Sequence, residues 1–173
     1  MTPRWITLAL LSEVAGEARR SPRKRQNHNF HEMADPVHRL LNALEPGTYI
    51  RPHRHLNREK TETAIAVAGR IGVIFFADDG ERQDWRVIAP SSEVCGVEVP
   101  PGAWHTFVAL EPGSVFFEVK AGPYRPPAGD ELAPWAPLEG APEAAAFELA
   151  LRSFFQAAGR RSAGSDSRTI RKS

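Results

Sequence analysis

Two stretches decide the reading of this chain: GTYIRPHRHLNREKTETAIAVAG, from Gly47 to Gly69, and PPGAWHTF, from Pro100 to Phe107. His53 and His55 stand two apart in a β-prone segment, and alternate side chains of a strand point to the same face. A carboxylate at Glu62 on the next strand and a third imidazole at His105 can close with them around one ion. Three histidines and a glutamate make a nitrogen and oxygen set suited to Fe(II), Mn, Ni, Co, Zn or Cu rather than Ca or Mg. The sequence therefore predicts one divalent transition ion (Fe, Mn, Zn, Ni or Co) on His53, His55, Glu62 and His105. One or two positions are left to water or substrate.

Outward from these stretches the pattern is one of short period-two segments. From Gln26 a strand carries Asn27, Asn29 and His31 on one side and His28 and Phe30 on the other. VHRLLNALEPGTYIRPHRH reads as two strands joined at Glu45-Pro46-Gly47, a type II turn by its Pro and Gly. TETAIAVAGRIGVIFFADDGERQDWRVI supplies three more, broken at Gly69-Arg70 and at the hairpin signal Asp79-Gly80. Val94 to Val99 is another strand. Pro100-Pro101-Gly102 and Glu111-Pro112-Gly113 then set off WHTFVAL and SVFFEVK. Short strands at even spacing predict an antiparallel sandwich or barrel over about Gln26 to Lys120, not a parallel α/β sheet.

The flanks are different. Ile6, Leu10, Val14 and Ala18 recur at helical spacing, and Pro22 stops that helix. Arg19, Arg20, Arg23, Lys24 and Arg25 follow as a basic turn, solvated or contributing to anion binding. After Lys120 a proline-rich segment runs on with Tyr124, Leu132 and Trp135 as its anchors. Pro142 opens a second helix, with Phe147, Leu151, Phe154 and Ala158 on one face, and Gly159 closes it. The organisation expected is an N-terminal helix and basic turn (1–25), a barrel with its docked segment (26–137), a helix (138–159) and a basic tail (160–173) too polar to order itself.

Composition sets the outer bounds. A chain of 173 residues with 42% hydrophobic residues can bury one core, and a net charge of +1 gives no nucleic-acid or membrane signal. One cysteine, Cys95, excludes an internal disulfide and is expected to be a small buried hydrophobe. No apolar run has the length of a membrane span, and Ser12, Glu13 and Glu17 behind the first apolar run lack a cleavage pattern, so a cytoplasmic protein is expected.

Gly47, His53, His55, Glu62 and Gly69 resemble the first cupin motif, G-x5-H-x-H-x3,4-E-x6-G. Six residues rather than three or four separate His55 from Glu62. Glu59 meets the short spacing from His55, whereas Glu62 meets the spacing to Gly69 and opens an apolar strand, which favours Glu62. Pro100, Gly102 and His105 match the second motif, with Ala109 in place of its asparagine. Over roughly Ser21 to Pro137, through SPRKRQNHNFHE, RLLNALEPGTYIRPHRH, PPGAWHTFVALEPGSVFFEVKAGPY and APWAP, the chain is similar to the WbuC-type cupin-fold metalloproteins, often encoded with bacterial surface-polysaccharide genes. The resemblance implies an all-β, cupin-type antiparallel jelly-roll barrel with short terminal helices, and a metal site without a settled reaction.

Around the ligands, Arg51, Lys60, Lys120, Asn27 and Asn29 are candidates to bind a small-molecule substrate. Arg51 shares strand parity with His53 and His55, while Arg54 has the opposite parity and is expected at the surface; Arg39 is a further cation flanking the metal motifs. Cations beside a metal suit an anionic or sugar-like molecule. His31 and Glu59 are candidates to move a proton, which would fit an isomerase or epimerase. The alternatives are a non-catalytic module that binds a sugar or organic acid, and an Fe(II) dioxygenase. The apolar face of the second helix, with Phe154 and Phe155 adjacent, predicts a homodimer.

Overall fold

The computed structural model describes residues 2–57 and 60–165. Helix α1 (Leu8–Arg20) starts where the Thr7 hydroxyl accepts from the Leu10 amide at 3.2 Å. Strands β1 (Arg25–Asn29), β2 (Val37–Leu44), β3 (Glu62–Ala68), β4 (Ile71–Phe76), β5 (Arg82–Ile88), β6 (Gly96–Val99), β7 (Trp104–Ala109) and β8 (Ser114–Ala121) follow. A single turn of 3₁₀ helix (Gly129–Glu131) precedes helix α2 (Pro142–Ser165).

All strand pairings are antiparallel. One sheet has the order β1-β2-β8-β3-β6 and the other β5-β4-β7. The extended segment 47–55 lies beside β7, paired through His53 and His105. With it included, the chain crosses from β2 to this segment, back to β3, over to β4 and β5, back to β6, over to β7 and home to β8. That alternation between two sheets is a jelly roll, the cupin-type fold expected. Turn chemistry supports it: the Thr48 amide donates to the Glu45 carbonyl at 3.0 Å across Pro46-Gly47, and Gly47 sits at φ +89°, a conformation costly for any residue with a Cβ.

Segment 47–55 departs from the sequence reading, which makes it a regular strand. Pro52 has no N–H for a ladder, so the segment is held by scattered bonds instead: His53 and His105 exchange amide bonds of 3.0 and 2.9 Å, and the Arg54 amide donates to the Glu131 carbonyl at 2.9 Å. Between the sheets, Leu44, Ala64, Ala66, Ile71, Val73, Phe107 and Phe116 form the main core.

Both helices cover outer sheet faces. On α1 the buried residues are Leu11, Val14, Ala15 and Ala18, spaced i, i+3, i+4, i+7, and they pack on Leu41, Ala43 and Val115. The face is thus rotated from the one expected, and Ile6 precedes the helix and is exposed. On α2, Leu151 and Phe155 are buried against Ile74, Phe76 and Val108, with Phe147 and Phe154 partly buried beside them. Full burial of such side chains stabilises by about 1.5–3 kcal/mol each. Leu151 and Phe155 of the α2 face that suggests a dimer are thus buried within their own chain, while Leu149 on the same helix is exposed.

Gly159 does not close α2; the helix runs on to Ser165, since an internal glycine costs only about 1 kcal/mol relative to alanine. The remainder of the basic tail, 166–173, lies outside the described residues. Cys95 is exposed rather than buried: it precedes β6 at a sheet edge, where its carbonyl accepts from the Ala66 amide at 2.8 Å and its side chain turns outward. No helix among the described residues is long and apolar enough to cross a membrane.

Candidate metal centre

His53 and His105 face each other across the paired backbone of segment 47–55 and β7. Two residues on, the His55 carbonyl accepts from the Gly102 amide at 2.8 Å, which ties the ligand segment to the Pro-Pro-Gly turn that starts β7. Gly102 adopts φ +83° there, which explains glycine at that position of the motif. Glu62 is the first residue of β3, opposite Lys120 on β8 and Val99 on β6. One donor atom from each of His53, His55, Glu62 and His105 lies within 4.8 Å of the others.

Donors 2.0–2.2 Å from a common ion are at most about 4.4 Å apart, so a closure of a few tenths of an ångström brings these four to coordination distance. His55 Nε2 and Glu62 Oε2 are already 3.1 Å apart. Two adjacent ligands of an octahedral ion are separated by about 3.0 Å, the bond length times √2. The ring orientations suit the same role. His53 Nδ1 lies 3.1 Å from the Arg51 carbonyl and His105 Nδ1 lies 3.0 Å from that of Ala103, which assigns the proton to Nδ1 in each and leaves Nε2 as the lone-pair donor. His105 is fully buried and its Nε2 has no hydrogen-bond partner, an arrangement that is costly unless something else occupies that lone pair.

The electrostatics favour the forms a cation needs. Burial, reinforced by the neighbouring His105 ring, pushes the His53 imidazole down to about 3, and burial lowers His105 as well. Burial alone would raise the Glu62 carboxyl, but the His55 hydrogen bond and the Lys120 charge outweigh it and hold Glu62 well below the usual carboxylate range. Neutral imidazoles and an ionised carboxylate are the ligating states.

Next to the cluster is a cavity of about 640 Å³ that reaches from His53 and Glu62 across β8 and β2 to Arg25 and Asn27 on β1. Its inner wall carries a polar group that the sequence reading missed. Glu118 is 4% exposed, accepts from Asn42 Nδ2 at 2.6 Å and pairs with Lys120, whose Nζ is also 3.8 Å from Glu62 Oε2. Burial, then the charge of Glu62, raise the Glu118 carboxyl, while Glu118 and Glu62 keep Lys120 protonated against its own burial. The signal was strand parity: Phe116, Glu118 and Lys120 alternate onto one face of β8, and Phe116 is plainly core.

Other expected site residues divide. Arg51, Asn27 and Lys120 line the cavity, although Arg51 also gives its guanidinium to the Ala133 carbonyl at 2.6 and 3.2 Å. Lys60 lines a smaller chamber beside His53 and His55. Asn29 is exposed and lines neither space, because β1 has by then passed beyond the rim. His31 is not brought to the metal cluster: it stacks on His38 with ring centroids 4.0 Å apart and takes the Arg39 amide at 3.0 Å. Glu59 lies outside the described residues.

Arg54 faces away from the cluster but is not a free surface residue. It lies over the Trp104 ring at 4.2 Å, donates to the Asp130 carbonyl at 3.1 Å and pairs with Asp78 at 3.5 Å. Tyr124, expected as an anchor, is exposed at the cavity mouth, whereas Trp135 packs on Phe76 and Trp104. In the basic turn, Arg23 and Arg25 close on the single carboxylate of Glu139 at 2.7–3.1 Å, so these two cations secure the segment before α2.

A family model described as a domain of unknown function (DUF6016) matches residues 6–88. That span contains His53, His55 and Glu62 and stops short of His105. No curated protein matches the chain. Among solved structures, KdgF from Halomonas sp. is 22% identical, covering 58% of this chain and 80% of its own, with a TM-score of 0.45. A point mutant of Bacillus subtilis oxalate decarboxylase OxdC is 20% identical over 58% of this chain and 26% of its own, at 0.45. A conserved protein of unknown function, SPY1581 from Streptococcus pyogenes, is 12% identical over 72% and 92%, at 0.48. The chain thus spans about a quarter of the length of the oxalate decarboxylase.

Proposed function

We propose that this chain is a cupin-type metalloprotein in which His53, His55, Glu62 and His105 hold one divalent transition ion in front of a cavity for a small anionic or sugar-like molecule, on which it acts as an isomerase or epimerase. The observation that carries this reading is the convergence of four donors of the right chemistry within 4.8 Å, with the buried Nε2 of His105 otherwise unpartnered. When bound, the ion would polarise a carbonyl or hydroxyl oxygen of the substrate. Glu118 is then the group placed to move a proton: it is buried in the cavity wall, raised by burial toward neutrality, and oriented by Asn42 and Lys120. Asn27 and Arg51 offer hydrogen bonds to hydroxyl and acidic groups further along the same wall. The resemblance to WbuC-type proteins supports a setting in bacterial surface-polysaccharide metabolism.

The test begins with untagged wild type, His53→Ala, His105→Ala, Glu59→Ala and Glu62→Ala, whose bound metal is measured by mass spectrometry. Near-stoichiometric metal in wild type and Glu59→Ala, and its loss from the other three, is expected. Equal metal in wild type and both histidine variants would overturn the reading. A screen of nucleotide sugars and phosphosugars then asks for turnover, and Glu118→Gln should keep its metal while losing about 10²- to 10⁴-fold in rate. Thermal stabilisation by a ligand without turnover would favour the binding module instead.

A further inference from the structure

Beneath segment 121–127 lies a chamber of about 120 Å³, walled by His53 and His55 on one side and by Lys60, Lys120, Tyr124 and Arg125 on the other. Lys60 and Arg125 also line a neighbouring hollow of about 230 Å³. Three cations therefore converge on a space that borders two of the four metal-site residues. Lys120 is matched by Glu118 and Glu62. Among the described residues no carboxylate forms an ion pair with Lys60 or Arg125. The nearby Glu131 is committed to the amides of Leu56 and Ala128, both at 2.9 Å. Elsewhere on the chain Arg23, Arg25 and Arg54 each hold a carboxylate. Glu131 and Glu62 act on Lys60 only through space, the mutual repulsion of Lys60 and Lys120 opposes them, and an anion seated between the cations relieves that repulsion.

A second observation points to the same space. His53 and His105 each give Nδ1 to a backbone carbonyl, but His55, only 6% exposed, has a buried Nδ1 with no partner. A histidine that ligates a metal through Nε2 carries its proton on Nδ1 and almost always donates it to an oxygen. Among the described residues none accepts from His55 Nδ1, and the His55 ring lines the chamber.

We propose that the chamber is an oxyanion subsite, in which Lys60 and Arg125 hold a phosphate or carboxylate group of the ligand and that group accepts from His55 Nδ1. His53, Lys120 and Tyr124 line both the chamber and the main cavity, so one molecule can extend from one into the other. The ligand class is then a polyhydroxylated compound with one terminal oxyanion, its uncharged part in the larger space along Asn27, Asn42 and Glu118. This rests on the metal reading only where it assigns His55 Nε2 to the ion.

The experiment titrates orthophosphate and, separately, acetate into full-length, metal-loaded protein by calorimetry, with metal content measured on every sample. Lys60→Gln and Arg125→Gln should each weaken binding about tenfold, since one charge-assisted hydrogen bond is lost, with metal content unchanged. Arg23→Gln, at the far mouth of the cavity, should bind as wild type does. Preference for orthophosphate assigns a phosphate ester and preference for acetate a carboxylate, and either supports the subsite. Wild type that binds phosphate through Lys60 and Arg125 yet holds no metal would sink the metal reading and leave the subsite standing. The absence of saturable binding at millimolar concentration, or equal affinity in wild type and the Lys60→Gln/Arg125→Gln double variant, would overturn the proposal.

Discussion

Lys120→Met removes the cation that pairs with both Glu62 and Glu118 while keeping most of the side-chain volume. At 3.8 Å, a unit charge pair in an effective dielectric of about 20 interacts by about 4 kcal/mol. Breaking a buried pair by deleting one partner typically costs about 3–5 kcal/mol, because the survivor stays desolvated and unmatched. The Lys120 side chain is 22% exposed, so water screens part of this, and about 2–4 kcal/mol is the reasonable expectation for metal-free protein. For a chain of this size that lowers the melting temperature by roughly 10 °C. A divalent ion should reverse the deficit, since it restores positive charge beside Glu62 and no longer has an ammonium as neighbour. Differential scanning calorimetry of wild type and Lys120→Met, with chelator and with Mn or Zn, measures both effects. Equal stability of the two metal-free proteins would refute the charge argument. A metal-induced shift no larger in Lys120→Met than in wild type would refute the link between Lys120 and the ion.

Three further outcomes are expected. Gly72→Ala places a Cβ 2.3 Å from Phe155 Cε2, and the overpacking should cost about 1–3 kcal/mol in urea unfolding; no loss would mean that α2 is not docked on β4 as described. Burial raises the Tyr49 phenol to about 12, and its hydroxyl donates to the Pro137 carbonyl at 2.8 Å. That stabilisation is complete below the ordinary value near 10 and is lost as pH rises toward about 12, so a phenolate titration at 295 nm should lose its higher step in Tyr49→Phe. Chelation of bound metal should lower stability by about 2.7 kcal/mol relative to protein with free ion at 100 times its dissociation constant, and melting curves unchanged by chelator would contradict the site.

The strands were legible because period two, Pro-Gly turns and apolar content agree along almost the whole barrel, each local signal pointing to the same fold. The four candidate ligands could be named because two same-face histidines and a Pro-x-Gly turn leave few alternatives. What escaped were features set by tertiary contact. His31 has the parity of Asn27 and Asn29, but β1 ends at Asn29 before reaching it, and the sequence does not say how far that strand lies from the ion. Glu118 has the parity of a core residue, yet a carboxylate between Phe117 and Val119 looks like a surface position. The docking of α2 escaped as well: Gly72 leaves a gap in β4 that Phe155 fills. Glycine at a sheet position where a helix comes close was the readable sign.

The broken pairing of segment 47–55 has a kinetic consequence. Two of the four donors are carried by a stretch without a continuous ladder on either side, so it can detach without unzipping β7 or β8. Amides of His53 and Arg54 should then exchange with deuterium through a local opening, well below the global unfolding free energy, whereas those of Val108 and Phe116 exchange only when the barrel comes apart. An ion seated on His53 and His55 would fasten this stretch to β3 and β7. Slow exchange at His53 would accordingly report loading, and the detachment itself is a route by which an ion reaches a histidine as enclosed as His105.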